Sequence, residues 1–363
     1  MVFKLPILGS LQPKVGTINL FPHYGCCKLC LLKIMRRLVI LVLVSLFYSS
    51  FAWAETFTTQ QTLSDDETFT VDSGDTYYYD GSNTIDAKNH SNVTVINNGN
   101  IIAHRTEAYP TEFRICGSSC DDTIEAEGSV NFTLTNNGTI WAGHARTINI
   151  KNATGNVTIT NNVGAKIAAG ERQDDVEVLD LDGAGSSGDT ITIVNHGTIE
   201  NTAKNWDLIG MSEIDNGAIV NFTNTGTIRQ GTETNGSGNK YWGIVDAKNS
   251  TDEINFNNSG TMQSSRRIFM LRGSTNFTIT NSGTIKQDNF AHHGVSDANA
   301  ATSYSYTTIE VGKTGSGATI KNSGTISAFG GNNHAITIGD NDANEAHSNA
   351  TIENSGTISA GSG

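Results

Sequence analysis

One short phrase, an alternating strand followed by Asn-x-Gly, recurs nine times between residues 93 and 356 and constrains the fold more than any other feature. Phe132-Thr133-Leu134-Thr135-Asn136-Asn137-Gly138-Thr139-Ile140 is a full copy, and Phe277-Thr278-Ile279-Thr280-Asn281-Ser282-Gly283-Thr284-Ile285 is another. The corner residues are Asn97 and Gly99, Asn136 and Gly138, Asn162 and Gly164, Asn195 and Gly197, Asn224 and Gly226, Asn258 and Gly260, Asn281 and Gly283, Asn322 and Gly324, Asn354 and Gly356. The third copy is irregular, reading Thr160-Asn161-Asn162-Val163-Gly164. Intervals between successive glycines run from 23 residues (Gly260 to Gly283) to 41 (Gly283 to Gly324). A rigid phrase at variable spacing marks a solenoid, whose coils share one module and differ in their loops.

The module has a physical reading. Apolar residues alternate with Thr or Asn, the two-residue period of a strand with one buried face. Asn and Gly tolerate left-handed backbone angles, so Asn-x-Gly is expected to form a sharp corner. Thr-Ile then re-enters a strand. Asparagines repeating at one corner are expected to form a ladder of amides between coils about 4.8 Å apart. Further strands are expected at Thr147–Ile150, Val176–Leu179, Gly243–Val245, Ile268–Leu271, Thr308–Val311 and Ala335–Ile338. Each coil then has at least two strands and one long variable loop, and nine coils rise about 40 Å. The expected fold is an all-β, right-handed parallel β-helix of nine or more coils.

Composition agrees. The chain holds 38 Asn, 44 Thr and 38 Gly but four Pro, and 16% of it is charged. That profile excludes collagen and helical bundles, which need Pro or strong helix formers respectively. So many β-branched residues with so little charge also argue against disorder.

The first 54 residues carry six bases and no acid. Met35-Arg36-Arg37, the apolar run Leu38–Val44 and the small-x-small end Ala52-Trp53-Ala54 read as a secretory signal peptide over 35–54. Residues 1–34 read as an upstream extension or a long leader. Residues 55–90 contain strands but no module, and are expected to cap the first coil. Residues 91–363 hold the repeats, and because they stop within the pattern the chain is read as truncated. Without 1–54 the chain keeps all 36 acids and 17 of its 23 bases, moving the formal charge from −13 to −19. Such a surface repels phosphate backbones, so nucleic acid is not an expected partner. Cys116 and Cys120 flank Gly117-Ser118-Ser119; in an oxidising compartment they can close a small disulfide, the other reading being two free thiols.

Together, the signal peptide, the acidic Gly/Asn/Thr-rich body, the scarce Cys and the serial Asn-Ser-Gly-Thr-Ile phrases resemble the passenger region of bacterial autotransporters, the type V secreted proteins. The resemblance covers Met35 to Gly363. It implies a right-handed parallel β-helix carried across the outer membrane by a C-terminal β-barrel, which this chain lacks. Location at the cell surface or outside the cell is expected if a barrel follows, and the periplasm otherwise. A membrane is met only through such a barrel or a partner.

Chemistry is sparse. Asp72-Ser73-Gly74-Asp75 superficially matches a serine-protease nucleophile loop, but no His precedes it in the mature chain to serve as base. Asp180, Asp182 and Asp189 cluster in sequence, as do Asp340, Asp342 and Glu345; Arg266-Arg267 is the one tight basic pair after the signal peptide. Asp340-Asn341-Asp342-Ala343-Asn344 opens like a calcium loop but has Glu345 and Thr351 where an EF-hand needs Gly and Glu. His292, His293, His334 and His347 are read as solvated, not metal-bound. Tyr77–Tyr79, Trp141, Trp206 and Trp242 are read as packing residues, sugar stacking being the other reading. No catalytic, metal or cofactor site is expected. The functional expectation is a monomeric, non-enzymatic adhesin or surface interaction protein. It would bind a host or environmental glycan or protein through the loops near Ala103–Gly128, Gly231–Tyr241 and Gln287–Thr307. The alternative is a β-helical polysaccharide lyase or hydrolase.

Overall fold

The structure is a computed structural model that describes Met35 and residues 54–360, apart from 80, 104–121, 144, 171–176, 202–206, 231–242, 265, 289–306, 313–316, 330–332 and 340–348. The signal-peptide residues other than Met35 and Ala54, and both Cys116 and Cys120, lie outside the described residues.

Alternating apolar and Thr/Asn residues cannot bury one face without a partner sheet, and the chain supplies it by winding. The described residues form 31 strands in three parallel sheets of 11, 10 and 10 strands. The fold is an all-β parallel β-helix. Each rung contributes one strand to each sheet, as in β9 (Thr133–Asn136), β10 (Thr139–Ala142) and β11 (Ile148–Asn149). Call these the third, first and second sheets respectively. Every neighbouring pair is parallel and in register, so like stacks on like: Ile140 pairs with Ile101 and Ile167, and Ile148 with Ile124 and Leu179. The first sheet, with 11 strands, spans about 48 Å.

Inward side chains from all three sheets make one continuous core, including Leu134, Ile140, Ile148, Phe222, Phe256 and Phe277. Midway, the Phe222 and Phe256 rings stack at 4.5 Å, and Phe269 meets Phe256 edge-on at 5.0 Å. Segment 55–90 differs from the expectation of a separate cap. Its strands β1 (Thr56–Phe57), β2 (Gln61–Thr62), β3 (Thr68–Val71), β4 (Thr76–Tyr79) and β5 (Ile85–Asp86) already pair within the three sheets, so it starts the coil itself. Aromatic rings fill the core at that end: Phe57 stacks on Tyr77 at 4.3 Å and Phe69 meets Tyr77 edge-on at 5.1 Å.

The Asn-x-Gly corner joins the third sheet to the first. Its asparagines form an unbroken ladder, Nδ2 to Oδ1 on the next rung, through Asn97, Asn136, Asn161, Asn195, Asn224, Asn258, Asn281, Asn322 and Asn354 at 2.7–2.8 Å. Two details correct the sequence reading. In the third copy Asn161, not Asn162, takes the ladder place, because β12 (Val157–Asn161) pairs Asn161 with Asn195. The corner there spans 162–165. Asn162 bonds outside the ladder to Asn137 Oδ1 at 2.6 Å, and Gly164 sits at φ +82° with nothing near a notional Cβ. Gly164 is the only one of the nine corner glycines that is left-handed. The others are required by close stacking: a Cβ at Gly138 would lie 1.9 Å from the Gly99 carbonyl oxygen, and one at Gly226 2.1 Å from that of Gly197.

At Asn136 the ladder amide is fully used. Asn136 Oδ1 accepts from Asn97 and from the Gly138 N–H at 3.2 Å, while Asn136 Nδ2 donates to Asn161 and to the Lys166 carbonyl at 3.1 Å. Asn195→Asp keeps the acceptor but removes the donor to Asn224 and the Thr227 carbonyl, and places a carboxylate where no water reaches. Thermal unfolding should show a loss of about 3 kcal/mol near pH 8, smaller near pH 4 where the acid is neutral. Asn354→Ala, at an exposed rung, should cost well under half of that.

Candidate functional site

From Ile85 to Asp246 the second-sheet strands are two residues long, and each places one inward apolar residue beside one outward residue. Along the stack the outward residues include Asp86, Glu125, Asn149, Asp180, Gly210 and Asp246. Residues just before each strand add Asp122, Arg146, Glu177 and Asp207; residues just after add Glu127, Lys151 and Asp182. Parallel stacking therefore gathers acids scattered over more than a hundred residues onto one face.

The centre of this face is Glu177, Asp180 and Asp182, which offer carboxylate oxygens within 4.8 Å of one another. Asp180 is 1% exposed and Asp207 2%. Arg146 Nε lies 2.7 Å from Asp180 Oδ2 and 3.7 Å from Glu177 Oε2, and its Nη1 lies 3.7 Å from Asp122. Asn149 Nδ2 donates to Asp122 at 2.8 Å. Asp182 Oδ1 accepts from the Ser212 N–H at 2.7 Å, and Asp207 Oδ1 from the Gly243 N–H at 2.5 Å. Glu177 and Asp182 lean over Gly210, where a Cβ would meet Glu177 Oε1 at 2.6 Å. A larger residue at 210 would push the carboxyls apart.

One guanidinium does not balance these acids, and their proton affinities rise. Burial, then the neighbouring Asp122, pushes Glu125 up to about 9. Burial and Asp180 push Asp182 up to about 6. Burial, then the charges of Asp180 and Asp182, raises Glu177 well above the usual carboxylate range; burial and Asp246 do the same to Asp207. Asp180 is raised by burial against the pull of Arg146. Chemically the face holds buried carboxyl groups of raised proton affinity beside an arginine. The oxygen spacing in the triad suits a hard cation, whose opposed ligands lie about 4.8 Å apart. Arg146 already serves as counter-ion to Asp180 in the same space.

Of the acids noticed in sequence, Asp180 and Asp182 come together here. Asp189 does not: its Oδ2 accepts the Gly155 and Ser186 N–H groups at 2.8 Å each, tying down a corner. Arg267 pairs with Glu310 on the same sheet, its Nε 2.5 Å from Oε2, and Arg272 joins at 3.3 Å. Asp72-Ser73-Gly74-Asp75 is a turn with Gly74 at φ +95°, not a nucleophile loop. Tyr77 is half-buried and packs against the core, Trp141 faces outward on the first sheet beside Ile102 and Ala168, and His334 opens β29 (His334–Ile338). Trp206, Trp242, His292, His293, Asp340, Asn341, Asp342, Ala343, Asn344, Glu345 and His347 lie outside the described residues. Asp122, Glu125, Arg146, Glu177, Asp207 and Asp246 escaped the sequence reading. The signal available was the alignment of Ile124, Ile148, Leu179, Ile209 and Val245 as one column, which puts their neighbours in adjoining columns.

No family model, no curated protein and no solved structure matches the chain.

Acids whose affinity for protons is higher folded than unfolded stabilise the fold below the ordinary carboxyl range and lose that contribution as pH rises through about 6 for Asp182 and about 9 for Glu125. The melting temperature should therefore fall by several degrees between about pH 5 and pH 9, and Glu125→Gln should flatten that fall. Arg146→Met should cost about 3 kcal/mol at pH 8 by stranding buried acids, and markedly less at pH 4. An equal cost at both pH values would refute the electrostatic account.

Proposed function

We propose that this chain is a non-enzymatic, exported β-helix that acts as an adhesin or surface interaction protein. The observation that carries the reading is where length variation falls. Connections from the third sheet to the first are Asn-x-Gly corners of nearly constant length. Connections from the first sheet to the second range from 58–60 to 104–123, with 231–244 and 288–306 also long. Connections from the second sheet to the third vary over a narrower range, from 273–276 to 339–348. A constant scaffold with variation concentrated at one edge is the arrangement of a display rod, since recognition tolerates change in loops and the stacked strands do not. The leader-like segment 35–54 and the autotransporter resemblance support export; the acidic composition supports a solvated surface. The partner sought is a glycan or a protein on a host or environmental surface.

Beads coated with the purified chain test this. They should attach to a glycoprotein-coated or cellular surface, and attachment should fall at least fivefold when 290–305 is replaced by a short Gly-Ser turn. The melting temperature should stay nearly unchanged, because each rung is stabilised mainly by its neighbours. Attachment that survives shortening of that segment and of 105–120 would refute the reading.

A polysaccharide lyase or hydrolase is the second reading, favoured by the raised carboxyl groups around Asp180 and Asp182. It requires release of reducing or unsaturated sugar ends, abolished by Asp182→Asn. No release from acidic or neutral polysaccharides, with or without calcium, removes it.

A further inference from the structure

A groove of about 890 Å³ lies on the outer face of the third sheet, on a different side of the coil from the acids and arginine described above. Its lining comes from four successive rungs: β21 (Glu253–Asn258), β24 (Phe277–Asn281), β27 (Gly317–Asn322) and β30 (Asn349–Asn354). Register places Asn255, Thr278, Thr319 and Thr351 in a single outward column along the axis. Their repeat is the rung spacing, about 4.8 Å. None of the three threonine hydroxyls has a hydrogen-bond partner among the described residues. Asn349 widens the polar rim, and Ile338, 44% exposed, gives one apolar contact.

The lining chemistry narrows the ligand. Among the described residues no Lys or Arg lines the groove, so these offer no charge to an anion. The one carboxylate among the described lining residues, Glu253, already accepts from Asn255 Nδ2 at 2.8 Å, which leaves little for a cation. A protein partner would call for exposed aromatic or arginine anchors. The one aromatic among the described lining residues, Phe277, is 1% exposed and belongs to the core. What remains is a row of hydroxyls and amides at regular intervals with one apolar edge. We infer that this groove binds an uncharged polysaccharide chain lying along the coil axis, its hydroxyls bonded to the Thr278–Thr319–Thr351 column. An open groove running across rungs favours a polymer over a free monosaccharide, because each further ring meets a repeat of the same groups. The inference stands whether or not the chain is exported, and it uses no residue of the acidic face.

Native gel electrophoresis of the purified chain through gels cast with hydroxyethyl cellulose, glucomannan or dextran tests it, with polygalacturonate as the acidic comparison. At least one neutral polymer should retard migration, to the same extent at low and high salt. The double substitution Thr278→Val with Thr319→Val keeps side-chain shape and strand preference while removing two hydroxyls, and should weaken retardation at least tenfold. Thr319→Trp should abolish it by filling the groove, while Thr139→Trp on the first sheet should leave it intact; circular dichroism checks that each variant folds. The inference is overturned if no neutral polymer retards the chain, if only polygalacturonate does, or if the Val double variant and Thr319→Trp migrate as the parent does. Self-association of the chain that disappears in Thr319→Trp, without retardation by sugar, would overturn it too and assign the groove to a second copy.

Discussion

The architecture depends on one contact: the stacking of backbone on backbone at the Asn-x-Gly corner. There the carbonyl oxygen of one corner glycine lies where the next glycine's side chain would be, about 2 Å from a notional Cβ at Gly138 or Gly226. No other residue fits without prying the rungs apart. The buried asparagine beside it then fixes the distance and the register, since its amide can bond to both neighbouring rungs only when they are aligned. Strand pairing alone tolerates a slip; an amide held on both sides does not. The ladder thus converts a weakly specified stack of short parallel strands into a single register.

That constraint explains why variation lies where it does. A corner that must superpose on its neighbours cannot absorb insertions, and the one insertion it carries, at 162–165, is accommodated by looping out Val163 and Gly164 while Asn161 holds the ladder. The connections from first to second sheet have no such ladder. They accept segments as different as 265–268 and 104–123. Rigid and permissive corners are therefore properties of the same rung, set by which one carries buried amides.

Much of this was legible in the chain itself. Thr-Ile, alternating Val and Phe, and Asn-x-Gly carry strand, face and corner in plain periodicity, so the all-β parallel β-helix follows from residues such as Phe277–Ile285. The reason for the glycines was not legible. Left-handed geometry and close stacking demand the same residue, and only coordinates separate Gly138, which is stacked, from Gly164, which is left-handed. The choice between Asn161 and Asn162 was hidden for a similar reason: two adjacent asparagines satisfy the pattern equally until the partners Asn136 and Asn195 are in place. The acidic face was harder still. Glu125, Arg146, Asp180 and Asp207 are far apart in sequence, and the second-sheet strands that align them are two residues long, too short for periodicity to register.

Two faces of one coil end up with opposite character from the same stacking rule. In-register stacking multiplies whatever stands in a column. On the second sheet it multiplies carboxyl groups, and burial plus repulsion raises the proton affinity of Glu125 and Glu177, so that face is stabilised by acidity and strained by its absence. On the third sheet it multiplies threonine and asparagine, which repel nothing, need no counter-ion and leave their hydrogen-bonding capacity facing outward. A charged column must spend its partners internally, as Arg146 and Asn149 show. A neutral polar column keeps them for solvent or a ligand. The physical asymmetry favours the threonine face over the acidic one as the place where the stack itself, distinct from its loops, meets another molecule.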